Sequence, residues 1–229
     1  MSRILSLALA LVGASVFPTG ASAQTRVLDD GAFRLVIDGR EVGRETFAIR
    51  QSGTGNSAVV LAQGRVTLDR RQLESELELS GALRPAAYQV ELEGAEDRRI
   101  TGQIAGGRFS AKILSPGGEM MREYLTSDGA ILVDDGVAHH YYFIARAFQD
   151  GHRTVPLIVP QQNRQVSATI RGAGGESVEV GGSSVQAQHL VVQPAGGDVR
   201  HVWVDDQARV LRVEIPARDY TAIRTDLPG

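Results

Sequence analysis

The stretch Leu73-Glu74-Ser75-Glu76-Leu77-Glu78-Leu79 alternates between leucine and glutamate, with Ser75 in place of one leucine. In an extended conformation its three leucines share one face and its three glutamates the other, because successive side chains of a β-strand point to opposite faces. This alternation predicts a half-buried strand with one apolar and one solvated face. The sheet that contains it should therefore have a wet side.

The same period of two recurs along the chain in short segments separated by Gly, Asp and Asn residues. Turn residues at these intervals predict an antiparallel meander, since no long helical pattern intervenes to connect parallel strands. The predicted strands are 33–37, 45–50, 58–68, 73–79, 88–92, 98–104, 108–114, 166–170, 177–180, 186–192, 199–204 and 210–215. The Gly-rich stretches 115–118 and 172–175 are expected to be hairpin turns, and the segment from Pro156 to Pro160 an extended connection.

One segment departs from this pattern. Val137, Tyr141, Ile144 and Phe148 recur every three or four residues, which predicts a helix at about 137–148. We therefore expect an all-β, mainly antiparallel fold: a single domain of residues 24–229, built as a curved meander, half-barrel or barrel-like, with one helix near its middle.

The N-terminus has the features of an export signal. Arg3 precedes an apolar run at 4–17, and the small residues Ala21 and Ala23 stand where a signal peptidase cleaves. We predict a signal peptide of residues 1–23 that is removed, and a soluble product in the periplasm or secreted from a bacterial cell. A lipid anchor is not expected because the chain has no cysteine, and no second apolar run is long enough to predict an integral membrane protein.

Composition excludes several functional classes. The first 23 residues contain one basic and no acidic side chain, so the mature chain carries 23 basic and 27 acidic residues, a balance that argues against nucleic acid as a partner. The lack of cysteine rules out thiol catalysis and thiolate zinc sites. Neither His-Glu-x-x-His nor Gly-x-Ser-x-Gly occurs. We predict no catalytic residue, cofactor or metal, and the sequence favours a binding protein over an enzyme.

A curved sheet with a helix across its mouth can enclose apolar volume. We expect such a site to bind a lipid or another hydrophobic small molecule, through burial of apolar surface. The residues expected to line it are Tyr141, Phe143, Ile144, Phe148, Leu77 and Leu79.

Two other functions remain open. An envelope protein could act as the partner by pairing with the edges of the sheet. A hydrolase could use Asp135 with His139 or His140, since a carboxylate one helical turn away can orient an imidazole. Separately, His189 and His201 could meet across neighbouring strands and, with His140, form a three-imidazole site.

Two stretches carry a resemblance to known proteins. The first is Gly39-Arg40-Glu41-Val42-Gly43-Arg44-Glu45; the second is Trp203-Val204-Asp205-Asp206 followed by Val210-Leu211-Arg212-Val213-Glu214. In both, the chain resembles poorly characterised exported bacterial β-proteins, which are similar in outline to the half-barrel lipoprotein carriers of the Lol system. The resemblance implies an open, strongly curved sheet with a helix or loop across its concave face and an apolar ligand, and it implies no catalytic residues.

Overall fold

The computed structural model describes residues 25–94, 97–126 and 129–229. The predicted signal peptide of residues 1–23 lies outside the described residues. The strands are β1 (Thr25–Ile37), β2 (Arg40–Ser52), β3 (Val59–Leu68), β4 (Arg71–Ser80), β5 (Pro85–Glu93), β6 (Arg98–Ala105), β7 (Arg108–Ser115), β8 (Gly118–Leu125), β9 (Ile131–Leu132), β10 (Thr154–Val159), β11 (Arg164–Val180), β12 (Ser183–Pro194), β13 (Arg200–Val204), β14 (Val210–Ile215) and β15 (Tyr220–Arg224). The helix α1 spans Tyr141–Gln149 and follows a 3₁₀ turn at Ala138–His140.

All fifteen strands form one open, curved sheet, which confirms the predicted fold class. Their order is β8-β7-β6-β5-β4-β3-β2-β1-β15-β14-β13-β12-β11-β10-β9, so the first and last strands of the β1–β15 succession are neighbours. Every neighbouring pair is antiparallel except β9 and β10. The chain therefore runs as two meanders, the first of β1–β8 and the second of β10–β15 with β9 at its edge, which join at the β1–β15 pair.

The strand pattern of the sequence separates the two faces of the sheet. The register aligns Gln63, Glu76, Gln89, Thr101 and Lys112 in one row across β3–β7. The adjacent row on the opposite face consists of Ala62, Leu77, Tyr88, Gly102 and Ala111. The second row belongs to or adjoins the main core, so the sheet is dry inside and polar outside, as the Leu73–Leu79 alternation predicts.

The two ends of the sheet approach each other through side chains. The Tyr124 hydroxyl of β8 donates to Asn163 Oδ1 (2.8 Å), and the Leu125 amide donates to Gln165 Oε1 (3.1 Å). The Gln165 side-chain amide in turn donates to the Leu125 carbonyl. The carboxamide of Gln165 thus pairs with the backbone of β8 much as a neighbouring strand would, while the sheet itself stays open.

Several elements differ from the sequence predictions. The predicted hairpin turn at 172–175 is wrong: β11 continues through it, with a register shift between Gly172 and Gly174 against β12. Pro156 lies inside the strand β10, where a short neighbour, β9, pairs only with Leu157 and Ile158. Proline has no backbone N–H, so a strand tolerates it at a position where no hydrogen bond has to be donated to a neighbouring strand.

The predicted helix is confirmed, since the 3₁₀ turn and α1 together cover residues 138–149. Its end follows from Gly151, whose φ of +92° is easily adopted only without a side chain, and whose amide donates to the Phe148 carbonyl. β9 is the edge strand of the sheet next to β10, and the loop after it, the 3₁₀ turn and α1 pack against the concave face. We call residues 131–149 the cover.

Candidate functional site

The predicted ligand-lining residues are brought together by the fold, and they lie in a packed core. Tyr141, Phe143, Ile144, Leu77 and Leu79 are buried and belong to one cluster of apolar side chains. Phe148 is partly buried at the edge of that cluster, with the Arg153 guanidinium 4.0 Å from its ring centre. A ligand would reach most of this set only after the cover moves.

A fully buried carboxylate attaches the cover to the sheet. Glu45 of β2 points into the concave side, where its Oε2 accepts the Ala138 amide (2.7 Å). Its Oε1 accepts the His139 amide (3.1 Å) and contacts His139 Nδ1 (2.6 Å). Glu45 therefore satisfies three donors at the point where the 3₁₀ turn begins, a position that carries no side-chain cap of its own.

A second polar attachment lies next to the first. The Tyr88 hydroxyl of β5 donates to Asp134 Oδ2 (2.7 Å), whose Oδ1 accepts the amides of Asp135 (2.9 Å) and Gln161 (2.9 Å). The Asp134 amide donates to His140 Nδ1 (3.1 Å). Tyr88, Asp134 and His140 are all buried, so these hydrogen bonds are protected from water.

These partners assign the proton on each imidazole. His139 carries its proton on Nδ1, facing the Glu45 carboxylate, whereas His140 accepts at Nδ1 and carries its proton on Nε2. Both Nε2 atoms are buried and have no hydrogen-bond partner. The rings meet edge to face with centroids 4.6 Å apart.

Gly64 makes room for this arrangement. A Cβ on Gly64 would lie 2.5 Å from His139 Cε1 and 3.4 Å from Ser75 Oγ, which is also buried without a partner. The His139 ring also stacks on Phe47 at 5.5 Å. Glycine at this position is thus required by the close approach of the imidazole to the β3 backbone.

The carboxylate that pairs with a histidine is not the one that the sequence predicted. Asp135 is not the partner of either histidine, because its Oδ1 accepts Arg218 Nη1 (2.6 Å) while His139 pairs with Glu45. A carboxylate on Nδ1 with a lone pair on Nε2 is the arrangement of a general base. His139 is nonetheless fully buried, and no substrate contacts it while the cover is in place.

The predicted pair His189 and His201 is confirmed, but on the other face of the sheet. His189 Nε2 lies 2.9 Å from His201 Nδ1, and the His189 ring stacks on Trp203 at 4.5 Å. Trp203 belongs to a second apolar cluster, whereas its neighbour Val202 belongs to the main core. The three-imidazole site is wrong because His140 belongs to the cover and is buried against Tyr88 on the concave face.

Within residues 25–94, 97–126 and 129–229, no group of three or more His, Cys, Asp or Glu side chains is arranged to hold a metal ion. Nor does any helix in these ranges have the length and hydropathy to span a bilayer.

Sequence reasoning missed Glu45 and Tyr88, although a signal existed for both. Glu45 stands in the same alternating phase as Phe47 and Ile49, so the period of two places its carboxylate on the apolar face. Tyr88 has the same relation to Val90. A carboxylate in the core phase of a strand needs buried donors, and the chain supplies them from residues 93 and 94 positions further on.

Burial shifts the pKa values of His140 and Asp134, and the two shifts change the stability of the fold in opposite directions as the pH falls. Burial, and to a smaller extent His139, lowers the pKa of His140 well below 6.5. Burial raises the pKa of Asp134 from 3.8 to about 6, against the hydrogen bonds from Tyr88 and Gln161. Below pH 6.5 the unfolded chain binds a proton at His140 that the folded chain excludes, so this group destabilises the fold as pH falls. Asp134 has the opposite sign, because between about pH 6 and 3.8 the folded chain binds the extra proton.

We expect His140→Gln to remove the acid-sensitive part of this balance. A glutamine side chain still offers an acceptor to the Asp134 amide and cannot be protonated in this range. As pH falls below 6.5, the free energy of unfolding of the wild type should decline relative to the variant by up to about 1.4 kcal/mol per pH unit. Urea unfolding at several pH values measures this, with the exposed His152→Gln as the control. Parallel pH profiles for wild type and His140→Gln would contradict the assignment. Asp29, whose pKa burial raises to about 6 against Arg224, contributes equally to all three proteins.

No protein-family model, curated protein or solved structure matches this chain. Its function is therefore inferred from the chemistry of the site.

Proposed function

We propose that this protein is an exported, non-catalytic carrier that binds a hydrophobic or amphipathic ligand, a lipid or acyl chain, on the concave face of its sheet, in the periplasm or outside the cell. The observation that carries the proposal is the cover: a single short segment lies between solvent and an apolar concave face to which many strands contribute. Ligand exchange then requires movement of residues 131–149, which separates the short strand β9 from β10 and leaves the other strands paired.

The attachments of the cover support such movement. Outside its apolar contacts, the 3₁₀ turn and the loop before it are held to the first meander by Glu45 and Tyr88. Single hydrogen bonds contribute roughly 0.5–1.5 kcal/mol, and those to charged groups roughly 1.5–3 kcal/mol. Segments held by a few such contacts open locally at a lower free energy than global unfolding requires.

An entrance for an amphipathic molecule lies at one end of the concave face. An open cleft of about 1290 Å³ separates the tips of the β1–β2 and β3–β4 hairpins. Its apolar floor contains Val42 and Leu68, both only partly buried against the main core, and its rim carries Arg40 and Arg70. A molecule with an apolar tail and a polar head would meet both kinds of surface here.

The direct test is lipid analysis of the exported chain. Residues 24–229, purified from the periplasm of an expression host, are expected to carry lipid in native mass spectrometry. Addition of a fatty acid should change deuterium uptake in residues 131–149 more than elsewhere. Protein that carries no lipid and shows no change with fatty acid would remove the carrier function.

Tyr88→Phe should loosen the cover without changing its apolar packing. The variant leaves Asp134 Oδ2 buried without its 2.7 Å donor, at a cost of about 1–3 kcal/mol. We expect faster deuterium exchange in residues 131–149 and faster fatty-acid uptake. Tyr124→Phe is the matched control, because its hydroxyl bonds Asn163 outside the cover. Equal exchange of the cover in the two variants would contradict the role of Tyr88.

A second candidate function is supported by the edge strand β8. Met120, Met121 and Leu125 are 45%, 56% and 60% exposed there, on the strand at one edge of the sheet that the described residues form. Such an edge can pair with a strand of an envelope protein through backbone hydrogen bonds. Met121→Lys should abolish capture of that partner from envelope extracts, whereas Leu227→Lys, at a similarly exposed site, should not. The same captured proteins for both variants would exclude pairing at β8.

A further inference from the structure

A small pocket rich in arginine lies where the second meander meets the cover, which contributes Val133 and Tyr141 to its lining. It has a volume of about 90 Å³ and is lined on its polar side by Tyr141, Gln162, Arg164, Arg200, Arg218 and Asp198. This space is large enough for a small oxyanion.

Arg200 gives the pocket a buried positive charge. The residue is 7% exposed, and its Nη1 donates to the Asp198 carbonyl (2.8 Å) while its Nε has no partner among the described residues. Tyr141 lines the same pocket as Arg200, and the Arg200 charge opposes the rise in the pKa of Tyr141 that burial causes. A buried guanidinium without a counter-charge is costly, and a bound anion would supply that charge.

The carboxylates nearby are already engaged by a different arginine. Arg218 Nε pairs with Asp198 Oδ2 (2.7 Å), and its Nη1 pairs with Asp135 Oδ1 (2.6 Å). Among the described residues, neither Arg164 nor Arg200 forms an ion pair. Three guanidinium groups therefore face two carboxylates, which leaves an excess of one positive charge at the pocket.

The turn between β12 and β13 orients the third arginine. Arg164 Nη2 donates to the carbonyls of Ala195 (3.3 Å) and Gly196 (3.1 Å). Cβ atoms at Gly196 and Gly197 would each lie 3.8 Å from a terminal nitrogen of Arg164. The two glycines thus leave this wall of the pocket without side chains, where the planar guanidinium offers paired donors.

We propose that this pocket binds a phosphate group, held by Arg164 and Arg200 with the Tyr141 hydroxyl as an additional donor. The site goes beyond the carrier function and does not depend on it, because the pocket exists with the cover in place. The phosphate comes either from free inorganic phosphate or from the headgroup of a phospholipid, whose chemistry at the pocket is the same.

The test is calorimetric titration of residues 24–229 at constant ionic strength with three probes: inorganic phosphate, the short-chain lipid dihexanoyl phosphatidic acid, and acetate. We expect saturable binding of a phosphate-containing probe and at least a tenfold weaker affinity in Arg164→Gln. Arg171→Gln, an exposed arginine on the same strand, should bind as the wild type does. Arg164 is only partly buried, and thermal unfolding of each variant verifies that it is folded.

Each result decides between stated alternatives. Binding of inorganic phosphate that is weakened in Arg164→Gln supports the site with free phosphate as ligand, and binding of phosphatidic acid alone that is weakened in Arg164→Gln supports the headgroup as the source. No binding of either probe, or equal binding by wild type and Arg164→Gln, overturns the proposal. Acetate that binds as tightly as phosphate overturns the choice of phosphate. None of these results depends on fatty-acid binding at the concave face, so the two proposals fail separately.

Discussion

Glu45→Ala is expected to lower the free energy of unfolding by about 3 to 5 kcal/mol. The substitution removes the acceptor of three donors, the amides of Ala138 and His139 and the Nδ1 of His139, in a place that water does not reach. It also detaches the start of the 3₁₀ turn from β2, so the cover should exchange deuterium much faster than the strands. Urea unfolding and exchange mass spectrometry measure the two effects.

Two further variants control this experiment. Glu78→Ala removes an exposed glutamate from the outer face of β4 and should change stability by no more than about 0.5 kcal/mol. Glu45→Gln keeps one carbonyl acceptor and should fall between wild type and Glu45→Ala. A Glu45→Ala protein as stable as Glu78→Ala, with a cover that exchanges as in the wild type, would show that Glu45 does not hold the cover.

Leu77→Ala is expected to cost about 2 to 5 kcal/mol. Leu77 is fully buried at the centre of the concave face, opposite Ala62 and Tyr88 on the neighbouring strands. The spread in cost depends on how far the core collapses into the space left by the leucine. Leu114→Ala on β7 is the comparison, since Leu114 is 39% exposed and loses little burial.

Leu77→Ala also tests the carrier function at the centre of the concave face. If an acyl chain lies along the concave face when the cover moves, removal of Leu77 also weakens fatty-acid binding, by about 1 to 3 kcal/mol from lost apolar contact. Destabilisation with unchanged fatty-acid affinity would mean that the ligand does not use the centre of the face. A loss of stability equal to that of Leu114→Ala would contradict the packing itself.

Local pattern predicted most of the strands because each one has a polar outer face. In β4 the alternation of leucine and glutamate survives along the whole strand, and its predicted range of 73–79 falls within Arg71–Ser80. The helix was predictable for a related reason, since its apolar positions repeat with the helical period over three turns. A regular environment on each side of an element leaves a regular pattern in the sequence.

The elements that prediction missed or misplaced have irregular environments. β8 has exposed residues at nearly every position, so no alternation identifies it as a strand. β11 bends at Gly172 and Gly174 within a continuous ladder, which local sequence does not distinguish from a turn. β10 contains Pro156 and is a strand through its pairing with β11 along its whole length. On its other edge, β9 pairs only with Leu157 and Ile158.

The sequence by itself determined the fold class, the two faces of the sheet and the position of the helix, because these follow from the period with which apolar residues recur. Only the tertiary structure decided which polar groups meet: Glu45 with His139, Tyr88 with Asp134, and Arg218 with Asp135. The first two of these pairs join residues 94 and 46 positions apart, and the third joins residues 83 positions apart. The physical reason is that hydrogen bonds and ion pairs depend on distances of about 3 Å, which the packing of the cover against the sheet sets and no local periodicity records.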